Sequence, residues 1–535
     1  MRKRALAGTA ALALLATASC TTAASDGGAA SSEEAAPGFL AVADPESGAG
    51  GELVVQVDYD TAEASGLDPQ GAAAARAWMI EGLVYETLTT IDENLAVRPG
   101  LATSWEQPSE TEYVFTLDPE ATFSNGRAMT PDDVVGSLRR LIDNPAVWTG
   151  QLGPVTAVEA TGADQVTVTL AEPYEPFLAA LANTPAAVLP MAEIEAGEID
   201  PAAEMLGTGP LVAADHRQDE YWVFVPNEHH PAAADLGFSS LRLEIVADEA
   251  TRVAGLRDGS ADVALLNAVD SADLLTDDAD VEVVHQQNTD FHYLIVNSLS
   301  GDPALQDEDV RFAINAAIDR DGINDLVMAG VSAATGVTPV PLPDACAVDD
   351  LPSSSASIED ARAVIDEHGG LELDLLIYDS EAVLADIAQV IQQNLAEIGV
   401  TVEIATYDYA TYSSRVYAAP ADFDLALSWF SGYADPAMVT GWWNPRLAGF
   451  SAGYNHGSEE LDALIAAGAS TPAGSQRAGV FADLCVQADT ESETIPLVLR
   501  PTIIGYRGDT VSPTLYSNEG YGDFLRMLTE FHAAE

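Results

Sequence analysis

Between Leu371 and Ile404 the period of apolar and polar positions changes twice. Leu371 to Asp379 reads LELDLLIYD, an apolar run of strand length. Leu384, Ile387, Ile391, Leu395 and Ile398 then step by three or four, which defines one face of a helix. Gly399 stops that helix, and Val400, Val402 and Ile404 alternate as a strand. Such a strand–helix–strand unit predicts a right-handed parallel crossover. A further helix is predicted over Val310 to Ala329, with Val310, Ala313, Ile314 and Ala317 on one face and Gly330 at its end.

The first half of the chain shows the same mixture. GELVVQVDYD from Gly51 alternates like a strand, and a helix is predicted after Leu67-Asp68-Pro69 through Trp78, Ile80 and Tyr85. Short strands fall near 112–117 and 165–170. Between them Asn125-Gly126 marks a turn, Thr130 and Asp133 suit a capping box, and Pro131 fits the first helical position. Val134, Leu138 and Leu141 give that helix an inward face. Gly207 to Asn227 reads as a glycine turn and a hairpin, and Leu241 to Leu266 as strand, helix and strand. No repeat of solenoid length occurs. The pattern predicts an α/β protein in two lobes.

The N-terminus changes this picture. Arg2, Lys3 and Arg4 precede an apolar run from Ala5 to Ala16, too short to span a bilayer, and then Thr17-Ala18-Ser19-Cys20. Residues 1–19 read as a secretory signal peptide. Cys20 resembles a lipobox cysteine, lipidated to become the mature N-terminus, although Thr17 replaces the usual leucine; an ordinary signal peptide is the other reading. Residues 20–50, rich in Ala, Ser, Gly and Glu, read as a flexible tether. The 535 residues carry 21 basic and 85 acidic groups, a formal charge of −64, and the only lysine is Lys3. A nucleic-acid partner would need a basic footprint that this chain lacks. The carboxylates read as a solvated surface; no calcium-loop pattern stands out.

Several segments, in order from Leu67 to Gly505, resemble the family 5 solute-binding proteins, receptors of peptide- and nickel-type ABC importers. PGLATSWEQ (Pro99 to Gln107) and NGRAMTPDDVVGSL (Asn125 to Leu138) are the strongest. GTGP (Gly207 to Pro210), DEDVRFAINAAIDRDGI (Asp307 to Ile323) and YNHGSEELDALI (Tyr454 to Ile465) follow. The resemblance implies a two-lobed periplasmic-binding-protein-like fold (type II, large class) with an extra subdomain in lobe one. Lobe one would run over 51–300, with the subdomain near 86–205, lobe two over 301–493, and 494–535 would return to lobe one. It also implies a monomer on the outer face of the cytoplasmic membrane that closes on a solute, most often a peptide, and passes it to an ABC permease. No catalysis, cofactor or metal is implied.

In peptide-binding members an aspartate three places after a tryptophan pairs with the peptide amino terminus. Here Trp429 is present, but Gly432 takes the aspartate's place. Asp435 either reaches a ligand cation or caps a turn before Pro436. Tyr433, Trp442 and Trp443 either line the cleft, which would favour oligosaccharides, or pack between elements. Asn297 either offers its amide to the crevice or caps a turn. Cys346 and Cys485 either form a disulfide, as an oxidising compartment permits, or stay buried thiols. His229, His230 and His456 read as loop residues and not as metal ligands. Gly449 to Gly453 fits G-x-S-x-G, but without the strand before and helix after Ser451 that a hydrolase elbow needs.

Overall fold

The computed structural model describes residues 36–44, 50–61, 66–72, 75–143, 148–446, 451–520 and 524–534. The signal segment, Cys20 and most of the tether therefore lie outside the described residues.

Three sheets organise the rest. The largest has eight strands, in the order Asn518–Glu519, Val281–Asn288, Thr502–Arg507, Val263–Leu266, Glu52–Val57, Ser240–Ile245, Tyr221–Pro226 and Leu211–Arg217. A second sheet has five, in the order Val400–Tyr407, Leu371–Tyr378, Leu425–Phe430, Phe291–Val296 and Thr494–Leu499. A third, of four strands, is made from Ala102–Ser109, Glu112–Leu117, Gln165–Leu170 and Val155–Ala160. It lies within the stretch expected for the extra subdomain.

The crossover unit forms as its periodicity dictates. Leu371–Tyr378 pairs in parallel with Val400–Tyr407, and the helix Val383–Glu397 between them buries Leu384, Ile387, Ile391 and Leu395. Each such side chain contributes roughly 1.5–3 kcal/mol through its removal from water. The segment 310–329 differs from expectation. Ile318 takes an extended conformation, and Asp319 starts a new helix by accepting the Gly322 N–H at 2.9 Å. Apolar spacing ran through this break because both halves pack on the same core. The helix predicted through Tyr85 is also shorter, ending at Glu81.

In the NGRAMTPDD segment, Asp133 reaches back to accept from Thr130 N and Thr130 Oγ1 at 2.9 and 2.7 Å. Arg127 clamps Asp133 and Glu193 with bonds of 2.7–2.8 Å. The segment is a rigid joint of the first lobe.

The backbone passes between the two large sheets twice, at Asn288–Phe291 and at Leu499–Thr502. These crossings run side by side: Arg500 N donates to Asp290 O at 2.8 Å, and Asn288 Nδ2 donates to Thr502 Oγ1 at 2.6 Å. They form a two-strand hinge. The expected borders at 300/301 and 493/494 do not coincide with it, because Phe291–Val296 and Thr494–Leu499 both pair inside the five-stranded sheet.

Within the second lobe Cys346 and Cys485 are bonded, with Cα atoms 5.6 Å apart and 139 residues of separation. A cross-link over that length removes about 5 kcal/mol of unfolded-chain entropy in the simplest model.

Candidate functional site

Parallel strands place the site. In the first lobe Glu52–Val57 runs parallel to Val263–Leu266, so Asp58, Tyr59 and Asn267 emerge together at their carboxyl ends. In the second, Leu371–Tyr378 runs parallel to Leu425–Phe430, which brings Asp379 and Glu381 to the end that also carries Trp429. Crevices beyond such carboxyl ends are where open α/β sheets bind ligands. The two ends face each other across a cavity of about 360 Å³, with Asp290, His292 and Arg500 of the hinge region in its wall. That volume lies near the lower end of the roughly 300–1,000 Å³ typical of small-ligand sites.

Two arginines hold the cavity together electrostatically. Arg76, on the helix Ala75–Glu81 of the first lobe, donates to Glu381 of the second at 3.1 Å and lies 3.6 Å from Asp58. Its guanidinium sits 5.1 Å from the Tyr59 ring and 5.9 Å from that of Trp429. Arg500 stacks on Trp429 at 4.4 Å and faces Glu381 at 3.4 Å and Asp290 at 3.9 Å. Glu381 therefore joins a first-lobe cation to a hinge cation. Burial works against ionisation of Asp58, but the Arg76 charge and a 2.6 Å bond from Asn267 Nδ2 outweigh it and hold the carboxyl below its usual range. His292 is fully buried, and burial together with the Arg500 charge lowers its pKa to about 3. It is a neutral imidazole at physiological pH.

Of the residues singled out from sequence, only Trp429 lines this cavity. Asn297 sits beyond the other end of its strand, fully buried, and donates to Phe423 O at 2.8 Å while accepting from Ser300 N at 2.8 Å. It fastens a turn. Tyr433 is buried with its ring 5.5 Å from that of Trp148. Asp435 caps the short helix Pro436–Thr440 through Ala437 N at 2.8 Å and pairs with Arg477 at 2.7 Å. Trp442 and Trp443 pack on Phe430, with ring centroids 6.3 and 4.9 Å away. These assignments to the ligand are corrected: after Ser431 the loop turns into the protein interior.

Gly432 explains the turn. Its N–H donates to Asp290 Oδ1 at 2.7 Å, and a Cβ at this position would overlap the backbone and Oγ1 of Thr289. No aspartate fits there without moving the hinge. Sequence reading missed Arg76, Asp58, Glu381 and Arg500. A signal did exist, since an arginine inside an alanine-rich helix is conspicuous in a chain with 21 basic residues. Ser451 is buried and donates to Trp442 O at 3.4 Å, with no helix starting before Glu459. Gly449 and Phe450 lie outside the described residues. Among the described residues no group of three or more His, Cys, Asp or Glu is arranged for a metal.

Two α/β lobes, a paired hinge and a charged cavity between them define a solute-binding protein of the periplasmic type. The chain belongs to the bacterial extracellular solute-binding proteins, family 5, whose middle-region model matches residues 96–448. The probable D,D-dipeptide-binding periplasmic protein DdpA of Escherichia coli (strain K12) is 26% identical over 400 residues, 70% of this chain and 75% of its own. DppA from Helicobacter pylori, solved with peptide STSA, superposes with a TM-score of 0.76 at 18% identity, covering 92% of this chain and 99% of its own. NikZ from Campylobacter jejuni, solved with Ni(L-His), gives 0.76 at 20% identity over 90% and 99%. The chain is thus a substrate-binding receptor of the kind that serves ABC importers, in a family of binding proteins found outside the cytoplasm.

Proposed function

We propose that this receptor captures a short peptide in the hinge cavity and delivers it to an ABC permease. The observation that carries this reading is the pairing of both charge signs with one aromatic wall at the carboxyl ends of both sheets. A peptide carboxylate suits Arg76 and Arg500, its amine suits Glu381 and Asp58, and its backbone lies along Trp429. Relatives named for dipeptides and structures solved with peptides support the same class. With Tyr433, Trp442 and Trp443 packed inward, the aromatic surface that favoured an oligosaccharide is reduced to Trp429 and Tyr59, both covered by the Arg76 guanidinium. Binding is linked to closure, because a solute touching both lobes favours the state in which they meet.

Native mass spectrometry of protein purified from its own organism is expected to show a bound mass in the short-peptide range, and tripeptides are expected to raise the melting temperature. A panel of peptides that leaves the melting temperature unchanged, with no retained peptide mass, would overturn the reading. We further propose that Cys20 carries a lipid and that residues 20–50 tether a monomeric receptor to the membrane. Cys20→Ser is expected to release the protein into the soluble fraction; a variant still sedimenting with membranes would refute the anchor.

A further inference from the structure

Among the described residues the cavity lining holds seven carboxylates and two arginines. Both arginines are already matched: Arg76 lies against Asp58 and Glu381, and Arg500 against Asp290 and Glu381. Of the four others, Glu249 accepts from Asn267 N and Ala268 N, and three sit toward the exposed edge. Asp270, from the first lobe, is exposed, as are Asp379 and Asp386 of the second. Among the described residues Asp386 has a single long contact, from Gln389 Nε2 at 3.5 Å. Exposed acids on the outer surface face bulk water, which screens them within about 8 Å at physiological salt. These three face a shared, partly enclosed space, and closing the lobes draws like charges from opposite walls together. Confinement between low-dielectric walls strengthens that field.

A second observation points the same way. His292 forms part of the wall, is fully buried, and has no hydrogen-bond partner on either ring nitrogen among the described residues. A neutral imidazole there offers one N–H and one lone pair, and the lone pair is the complement of an N–H donor such as an ammonium or guanidinium. The fold already accommodates one such group: the Arg76 guanidinium rests between Tyr59 and Trp429, with carboxylates of both lobes around it.

We propose that the receptor selects solutes of net positive charge, basic peptides above neutral or acidic ones, and that the solute's cation relieves the repulsion between rim carboxylates as the lobes close. This rests on the peptide reading given above. It gives the acidic rim a role in closure, separate from the solvation role of the rest of the surface.

Isothermal titration with Ala-Arg-Ala, Ala-Ala-Ala and Ala-Glu-Ala tests it. Ala-Arg-Ala is expected to bind at least about tenfold more tightly than Ala-Ala-Ala, and Ala-Glu-Ala more weakly than either. In the triple variant Asp270→Asn, Asp379→Asn, Asp386→Asn the advantage of Ala-Arg-Ala is expected to shrink severalfold, with Ala-Ala-Ala gaining affinity because the repulsion that opposes closure is gone. In 1 M salt the wild-type advantage is expected to shrink as well, because the Debye length falls to about 3 Å. Equal affinity for the three peptides, or a preference untouched by the triple variant, overturns charge selection and leaves the peptide receptor standing. Failure of all three to bind overturns both.

Discussion

Gly432→Asp is expected to destabilise the protein by roughly 3 kcal/mol or more and not to restore a peptide-amine site. The new Cβ would overlap the Thr289 backbone in the hinge, and overpacking of this kind typically costs 1–3 kcal/mol. The added carboxylate would also lie close to Asp290, which is 4% exposed and already accepts the Gly432 N–H. A second buried negative charge at that point adds a desolvation cost of its own. Calorimetry should therefore show a melting temperature several degrees below wild type, with Gly432→Ala between the two. A Gly432→Asp protein that melts like wild type and prefers free-amine over N-acetylated peptides would show that the position opens to the cleft.

This glycine also marks where the sequence stopped being readable. The fold was largely visible, because local periodicity specifies local elements: Leu384 to Ile398 names a helix face, and Val400 to Ile404 a strand. Ordered motifs then supplied the two-lobed arrangement, and the family resemblance pointed to Trp429. The same reasoning failed a few residues later. Nothing in the spacing of Tyr433, Asp435 and Trp442 reveals that the chain bends inward after Ser431, since that bend is set by a contact with Thr289 far back in the sequence. The electrostatic centre was hidden for a related reason. Arg76, Glu381 and Arg500 come from a helix, a post-strand loop and a hinge, and only the tertiary fold brings them together. Asn297 follows a strand, but beyond the end away from the cavity, because that strand runs antiparallel to Leu425–Phe430.

Glu381→Gln is expected to weaken solute binding by about tenfold to a hundredfold while leaving the fold intact. Glu381 is 9% exposed and stands at the amino-terminal side of the helix Val383–Glu397, so glutamine keeps its volume and its place. What it loses is charge. Arg76 keeps Asp58, and Arg500 keeps Asp290, so neither cation is stranded within its own part of the molecule. The charge-assisted link between the lobes is the part removed. A hydrogen bond to a charged group contributes roughly 1.5–3 kcal/mol, and here that energy belongs to the closed state alone. Its loss shifts the population toward open, and apparent affinity falls with the fraction of binding-competent protein. Small-angle scattering should then show a larger radius of gyration for the unliganded variant than for wild type, with calorimetric unfolding nearly unchanged. Arg76→Gln should shift the radius in the same direction, because it cuts the same link from the other lobe. Double substitution should add little, since the bond can be broken only once. Wild-type affinity and an unchanged radius in Glu381→Gln would show that the lobes close without this contact.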